Sequence, residues 1–190
     1  MRIIGGKLSG RPLKSPISSA TRPMLDRIRE ALFNIIDHHD WDKTIGKPLL
    51  KTNVLDAFCG TGALAFEALS RGGAQATLFD MDRNALNIAK ANAEALGLKP
   101  MCNIIPANTL QPPKAAYKCR LVFLSPPYRK GLIAPGLAAL DVMGWIAPNA
   151  LIIAETARKE VLELPENFAP MFSRFYADTA LHFVASAPVK

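Results

Sequence analysis

Ser125-Pro126-Pro127-Tyr128 closes an apolar run that begins at Leu121. The two prolines fix φ and remove two N–H donors, so the turn offers carbonyl acceptors. The Ser125 hydroxyl can accept or donate, and Tyr128 adds an aromatic face. Such a loop suits a planar base carrying an exocyclic amine. The amine donates to Ser125 and to the Pro126 carbonyl while the ring stacks on Tyr128. Base–aromatic stacking contributes ~1–3 kcal/mol per base in single-strand binding. On its own the tetrapeptide reads better as a Pro-Pro turn with a packing tyrosine, and it gains weight only from its neighbours.

Val54–Gly62, Val-Leu-Asp-Ala-Phe-Cys-Gly-Thr-Gly, supplies the first of these. A β-prone start runs into Asp56, then Phe58, then a turn spaced by Gly60 and Gly62. The glycines let the backbone turn tightly and approach a ligand without a Cβ. The full dinucleotide pattern is absent, because position 65 is Ala65. Leu78-Phe79-Asp80 ends a second apolar run with a carboxylate 20 residues after Gly60, where a ribose hydroxyl needs an acceptor. The three stretches together predict a nucleoside site along one sheet edge, beyond the carboxyl ends of the strands.

The elements that position these loops alternate. Strands are expected from Val54, over Gln75–Asp80, Met101–Pro106, Arg120–Leu124 and Ala150–Glu155. Helices follow at Ala63–Arg71, Arg83–Leu96 and Leu132–Met143, with Pro135 in the first turn of the last. Crossover helices between strands imply a parallel sheet. Phe172–Ala177 and Ala180–Ala185 around Asp178-Thr179 add a closing pair, an antiparallel edge that brings the sheet to seven strands. Upstream, Thr21-Arg22-Pro23 opens a helix whose apolar face is Met24, Leu25, Ile28, Ala31, Leu32, Ile35 and Ile36. Arg22, Arg27, Arg29 and Glu30 fall mostly off that face, and His38-His39-Asp40 closes it. Adjacent histidines point to different sides of a helix, so no metal site is expected. Ile3-Ile4, Leu8 and Leu13, broken by glycines and Pro12, read as a small hairpin or ribbon. The expected division is a basic β-ribbon or arm over residues 1–20 and one α/β domain over 21–190.

At 190 residues with 49% hydrophobic and 21% charged side chains, the composition is that of a globular domain. No apolar run reaches the ~18 residues of a membrane span. The start has no signal-peptide h-region, and Cys59, Cys102 and Cys119 form no CxxC pair. A cytoplasmic protein is expected, monomeric and away from membranes. Cys59 reads as a small packing residue of its loop. The net charge of +7 is concentrated early: residues 1–25 hold five cations and no acid, against 18 cations and 16 acids in the rest. Clustered cations gain by displacing nucleic-acid counterions, which makes the arm a candidate phosphate contact.

The chain resembles the RsmD family of bacterial 16S ribosomal-RNA guanine-N(2) methyltransferases. The likeness runs through Arg2–Leu13, Thr21–Asn34, Val54–Gly62 with Glu67–Gly72, Phe79–Arg83, Ser125–Tyr128 and Phe175–Thr179. It implies a Rossmann-like class I fold using S-adenosylmethionine. Asp56, Phe58, Gly60 and Gly62 would line the methionine and ribose side, Asp80 would accept from the ribose, and Met81 would lie against the adenine. Ala107 and Asn108 take the place of the third-strand motif, where an aspartate usually meets the adenine amine. Ser125, Pro126, Pro127 and Tyr128 would form the catalytic pocket for the target base. Arg2, Lys7, Arg11, Lys14 and Arg22, with Arg129 and Lys130, would hold 16S rRNA within the small subunit or its assembly intermediate. Departures are Asn108, Ser125 for the usual Asp, and Ala177 for the usual Gly. Loss of the carboxylate at 125 removes a charge-assisted acceptor. Alternatives are a silent rRNA-binding assembly factor, a DNA adenine amino-methyltransferase, for which the chain leaves no separate sequence-reading domain, and a small-molecule methyltransferase, which has no use for a basic arm.

Overall fold

The computed structural model describes residues 1–15, 24, 26–41 and 45–188. The linker from residue 16, the helix opening at Thr21-Arg22-Pro23, the Arg22 phosphate contact and Leu25 lie outside them. Seven strands form one sheet: β1 (Asn53–Asp56), β2 (Gln75–Asp80), β3 (Cys102–Pro106), β4 (Cys119–Leu124), β5 (Ile146–Ala157), β6 (Phe168–Phe175) and β7 (Thr179–Ser186). Their order is β3-β2-β1-β4-β5-β7-β6. The first five are parallel, and β7 pairs antiparallel with both β5 and β6. The order reverses beside β1, and that switch point is where open α/β sheets bind ligands.

The strands are apolar nearly throughout because both faces are covered. Alternate side chains serve opposite layers. Val54, Leu121 and Phe123 join a core with α1 (Asp26–His38), α2 (Ala63–Ser70) and α3 (Arg83–Ala95). Leu55, Val122 and Leu124 join a second with α4 (Ile133–Val142) and Trp145. Asp82 caps α3 by accepting from Asn84 N at 2.8 Å, satisfying one of the unpaired donors of the first turn.

Several elements differ from expectation. The N-terminal ribbon is reduced to a single bridge, Arg2 with Pro12, around a short 3-10 turn at Gly6–Leu8. Ile3 and Leu13 are buried in the same core as α1 and α2. Ile4 N and Gly5 N donate to the Glu67 carboxylate of α2 at 2.8 and 2.7 Å, so hydrogen bonds to a helix take the place of a second strand. Arg29, expected off the apolar face, is fully buried. Its Nη2 donates to Arg2 O at 2.5 Å and to Asp26 at 3.1 Å, and its Nε lies 4.0 Å from Glu67. Burial of a guanidinium is tolerated because these acceptors share its charge. β5 begins four residues before the expected Ala150, across Asn149 at φ 54 and a register shift against β4. β6 is displaced toward the N-terminus, starting at Phe168 and not Phe172.

Candidate active site

Asp56 ends β1, and its backbone pairs with Phe123 of β4 and Leu78 of β2. Ser125 therefore leaves β4 one strand away from the Asp56 loop, and Asp80 leaves β2 on the other side. Ala57 N donates to Phe123 O and Cys59 N to Phe79 O, which knits the three loop roots together. Gly60 (φ +51) and Gly62 (φ +84) both occupy the left-handed region. A Cβ on Gly62 would collide with the Phe66 ring, whereas Gly60 faces open space. Gly62 is thus required by packing, and Gly60 clears room for a ligand.

Two carboxylates frame that room. Asp80 Oδ2 accepts from Gly60 N at 2.8 Å and Oδ1 from Asp82 N at 2.9 Å, so the acid at the end of β2 shapes the turn after β1. Asp56 is 1% exposed. One oxygen accepts from Ala65 N at 3.3 Å, and Oδ1 has no hydrogen-bond partner among the described residues. Burial pushes its carboxyl from 3.8 up to about 7, with the Ala65 N–H opposing and the Asp80 charge adding. An orphaned acceptor beside an open glycine cradle is the arrangement a cationic ligand head would complete. S-adenosylmethionine, with its ammonium and sulfonium, fits this donor and acceptor set.

Met81 is 70% exposed beside Asp80, placed to cover a flat ring from one side. Phe58 is half-buried against the α4 core. Ala107 N donates to Asp80 O at 3.1 Å. Asn108 turns its Oδ1 onto Leu110 N at 3.0 Å, so one lone pair of its amide oxygen already serves the local turn. Cys59 is buried, and burial raises its thiol well above the usual range, which keeps it a packing residue.

On the other side of β1, Pro126 is buried and Pro127 exposed, with Ser125 and Tyr128 between these extremes. Tyr128 donates its hydroxyl to Glu155 Oε1 at 2.5 Å and lies 2.9 Å from Thr179 Oγ1. The Ser125 hydroxyl also hydrogen-bonds Glu155. Glu155 is a site residue that the sequence reading does not single out. The cue that marks Asp56 and Asp80, a carboxylate ending an apolar run, is present at Glu155 as well. Arg129 takes φ +59 and donates its N–H to Glu160 at 3.0 Å, leaving its side chain and that of Lys130 exposed at the rim.

The other basic residues are spread more widely. Lys14 exchanges two hydrogen bonds with Asn92 of α3, whose amide also donates to Thr61 O between the two glycines at 3.2 Å. Lys14 is thereby brought near the cofactor loop. Lys7, beside Ser70, and Arg11, donating to Ala95 O at 2.7 Å, sit at the far ends of α2 and α3. Arg2, Lys7, Arg11 and Lys14 are all exposed.

Comparison with known proteins agrees with this geometry. The family described as Conserved hypothetical protein 95 matches residues 1–185. Ribosomal RNA small subunit methyltransferase D of Escherichia coli is 36% identical over 164 residues, covering 82% of this chain and 74% of that protein. The Haemophilus influenzae protein of the same name is 33% identical over 172 residues, covering 88% and 84%. Among solved structures, the Escherichia coli protein yhhF superposes with a TM-score of 0.81 at 31% identity over 100% of this chain and 99% of that one. An RNA methyltransferase of Salinibacter ruber in complex with S-adenosyl-L-homocysteine shares the fold at a TM-score of 0.64 and 11% identity, covering 87% of this chain and 94% of that one. With a family match along nearly its whole length and relatives above 30% identity, the chain belongs to the Conserved hypothetical protein 95 family, the RsmD family that its motifs resemble.

Proposed function

We propose that this chain methylates the exocyclic N(2) amine of a guanine in 16S rRNA, using S-adenosylmethionine, and that it acts as a cytoplasmic monomer on the small subunit or its assembly intermediate. One observation carries the reading. Asp56 and Phe123 are paired residues of adjacent parallel strands, so the nucleoside loop and the Ser125–Tyr128 loop open from the same edge, a strand spacing apart. Two reactants held in that arrangement gain most of their acceleration from proximity and orientation.

When bound, S-adenosylmethionine supplies an electrophilic methyl on a sulfonium. Asp56 and the Gly60 cradle hold and orient it, and Asp80 and Met81 fix its nucleoside end. Ser125 and the Pro126 carbonyl accept from the two amine hydrogens, and Tyr128 stacks on the base. The guanine amine is a poor nucleophile because its lone pair is conjugated with the ring. Two acceptors in its plane leave that pair facing the methyl. The N–C bond forms as the S–C bond breaks, a neutral thioether leaves, and the surplus proton on nitrogen passes to water. Arg129, Lys130 and Lys14 surround the mouth and suit phosphate contacts.

Labelled cofactor is to be incubated with small subunits lacking native methylation, with naked rRNA and with duplex DNA, and the modified nucleosides identified by mass spectrometry. N(2)-methylguanosine in rRNA is the expected product. Label in DNA adenine would overturn the reading. Ser125→Ala is expected to lower kcat about 100-fold, the size of one lost preorganised acceptor, while rRNA binding is retained. Unchanged turnover would mean that Ser125 does not accept from the amine.

A further inference from the structure

Glu155 ends an apolar run of β5 as Asp56 ends β1, but it serves the opposite half of the site. It is buried, with 7% of its surface exposed. Its carboxylate accepts from the Tyr128 hydroxyl at 2.5 Å and from the Ser125 hydroxyl. Each hydroxyl carries one proton and two lone pairs. Once the Ser125 proton is committed to Glu155, Ser125 can meet any further partner only as an acceptor. Tyr128, whose proton is committed in the same way, accepts from the Thr179 hydroxyl at 2.9 Å.

We propose that Glu155 is the positioning residue of the target pocket: by taking the protons of Ser125 and Tyr128, it fixes Ser125 as an acceptor for the exocyclic amine and holds the Tyr128 ring for stacking. The inference rests on the methyltransferase reading above. A serine free to rotate would spend part of its time donating toward the amine lone pair, which caps the nucleophile. Anchored to a carboxylate, it cannot. Hydrogen bonds to an ionised acceptor are roughly twice as strong as neutral ones and polarise the donor oxygen. The carboxylate that Ser125 lacks is in this way supplied one hydrogen bond further away. Burial pushes the Glu155 carboxyl up, and the two hydroxyls pull it back. Ser125 and Tyr128 thus favour the ionised form that accepts from them.

Steady-state kinetics on small subunits, with calorimetric binding of S-adenosylhomocysteine, test this. Glu155→Gln is expected to lower kcat about 10- to 100-fold, the size of one lost charge-assisted hydrogen bond. KM for the subunit and affinity for S-adenosylhomocysteine should stay within about twofold of wild type. Ser125→Asp introduced into Glu155→Gln restores a carboxylate and should recover most of the lost kcat. Ser125→Asp alone sets two carboxylates together and should be less active than the double variant. A merely structural Glu155 predicts no such rescue. An active wild type matched by Glu155→Gln, or a loss that Ser125→Asp does not reduce, overturns the proposal alone. A wild type silent on rRNA overturns the methyltransferase reading and the proposal with it. Should Glu155→Gln fail to fold, NMR titration of the Glu155 carboxyl in Ser125→Ala reads the same hydrogen bond. Its pKa should rise relative to wild type, and no rise overturns the proposal.

Discussion

Asp56→Asn is expected to melt at a higher temperature than the wild type at pH 8 and to bind S-adenosylmethionine several-hundred-fold more weakly. Both effects come from the same oxygen. The folded carboxyl titrates at about 7 against 3.8 for an unperturbed aspartate, so between those pH values the folded state holds a proton that the unfolded state has lost. Stability therefore falls as pH rises through that window, by about 4 kcal/mol in full. The asparagine carries no charge and escapes this cost. Its advantage should shrink toward zero near pH 4, where the wild-type carboxyl is neutral in the folded state and half-neutral in the unfolded one. The binding loss follows from removing one partner of a buried ion pair, which costs about 3–5 kcal/mol. The same titration makes cofactor affinity rise with pH up to about 7, because a cationic ligand selects the ionised form. Melting curves from pH 4 to 8 and calorimetry of cofactor binding check both halves. An Asp56→Asn protein that melts lower than wild type at pH 8 would contradict the burial of an unpaired carboxylate.

Glu67→Ala should destabilise the fold by about 3–5 kcal/mol, the cost of uncovering buried charges and donors at once. Its two oxygens receive Gly5 N, Ile4 N and Arg71 Nε between 2.7 and 2.8 Å, with Arg29 Nε at 4.0 Å. Removing it orphans two backbone donors and weakens the hold on two guanidinium groups. For a chain of this size the loss corresponds to a Tm lower by roughly 10 °C or more. Amide exchange at Ile4 and Gly5 should accelerate first, because those N–H groups lose their acceptor. Glu94, 71% exposed and paired with Lys99, provides the contrast: Glu94→Ala should change stability by less than about 0.5 kcal/mol. Equal effects at the two positions would mean that the N-terminal segment is not held by Glu67.

The sheet was legible because its pattern is local. Gln75–Asp80 reads as a strand from its own six residues, and the structure gives the same bounds. The loops that end β1, β2 and β4 were legible for the same reason, since glycines, prolines and a terminal carboxylate mark them in sequence. What stayed hidden depends on partners far along the chain. Arg29 looks like a surface cation until Glu67 and the Arg2 carbonyl are placed around it. The first thirteen residues look like an independent ribbon because their acceptors lie more than 60 positions away on α2. Glu155 looks like the end of a strand until β5 is set beside β4, which brings Ser125 and Tyr128 to it. Asn149 and the shift between Cys119 and Leu121 lengthened β5 in a way that Pro148 argued against.

The strand made last is not the strand placed last. β7 lies between β5 and β6, although the ribosome delivers β5 and β6 first. Until Thr179–Ser186 has emerged, the growing chain carries a twelve-residue, largely apolar β5 with one edge unpaired, the feature most prone to capture by another chain. Thr179, the first residue of β7, is also the one that meets Tyr128. Closure of the sheet and completion of the pocket for the target base are therefore a single event in biosynthesis. A nascent chain stalled before that point is at once sticky and incompetent, and a chain past it gains its last edge partner and its finished pocket together.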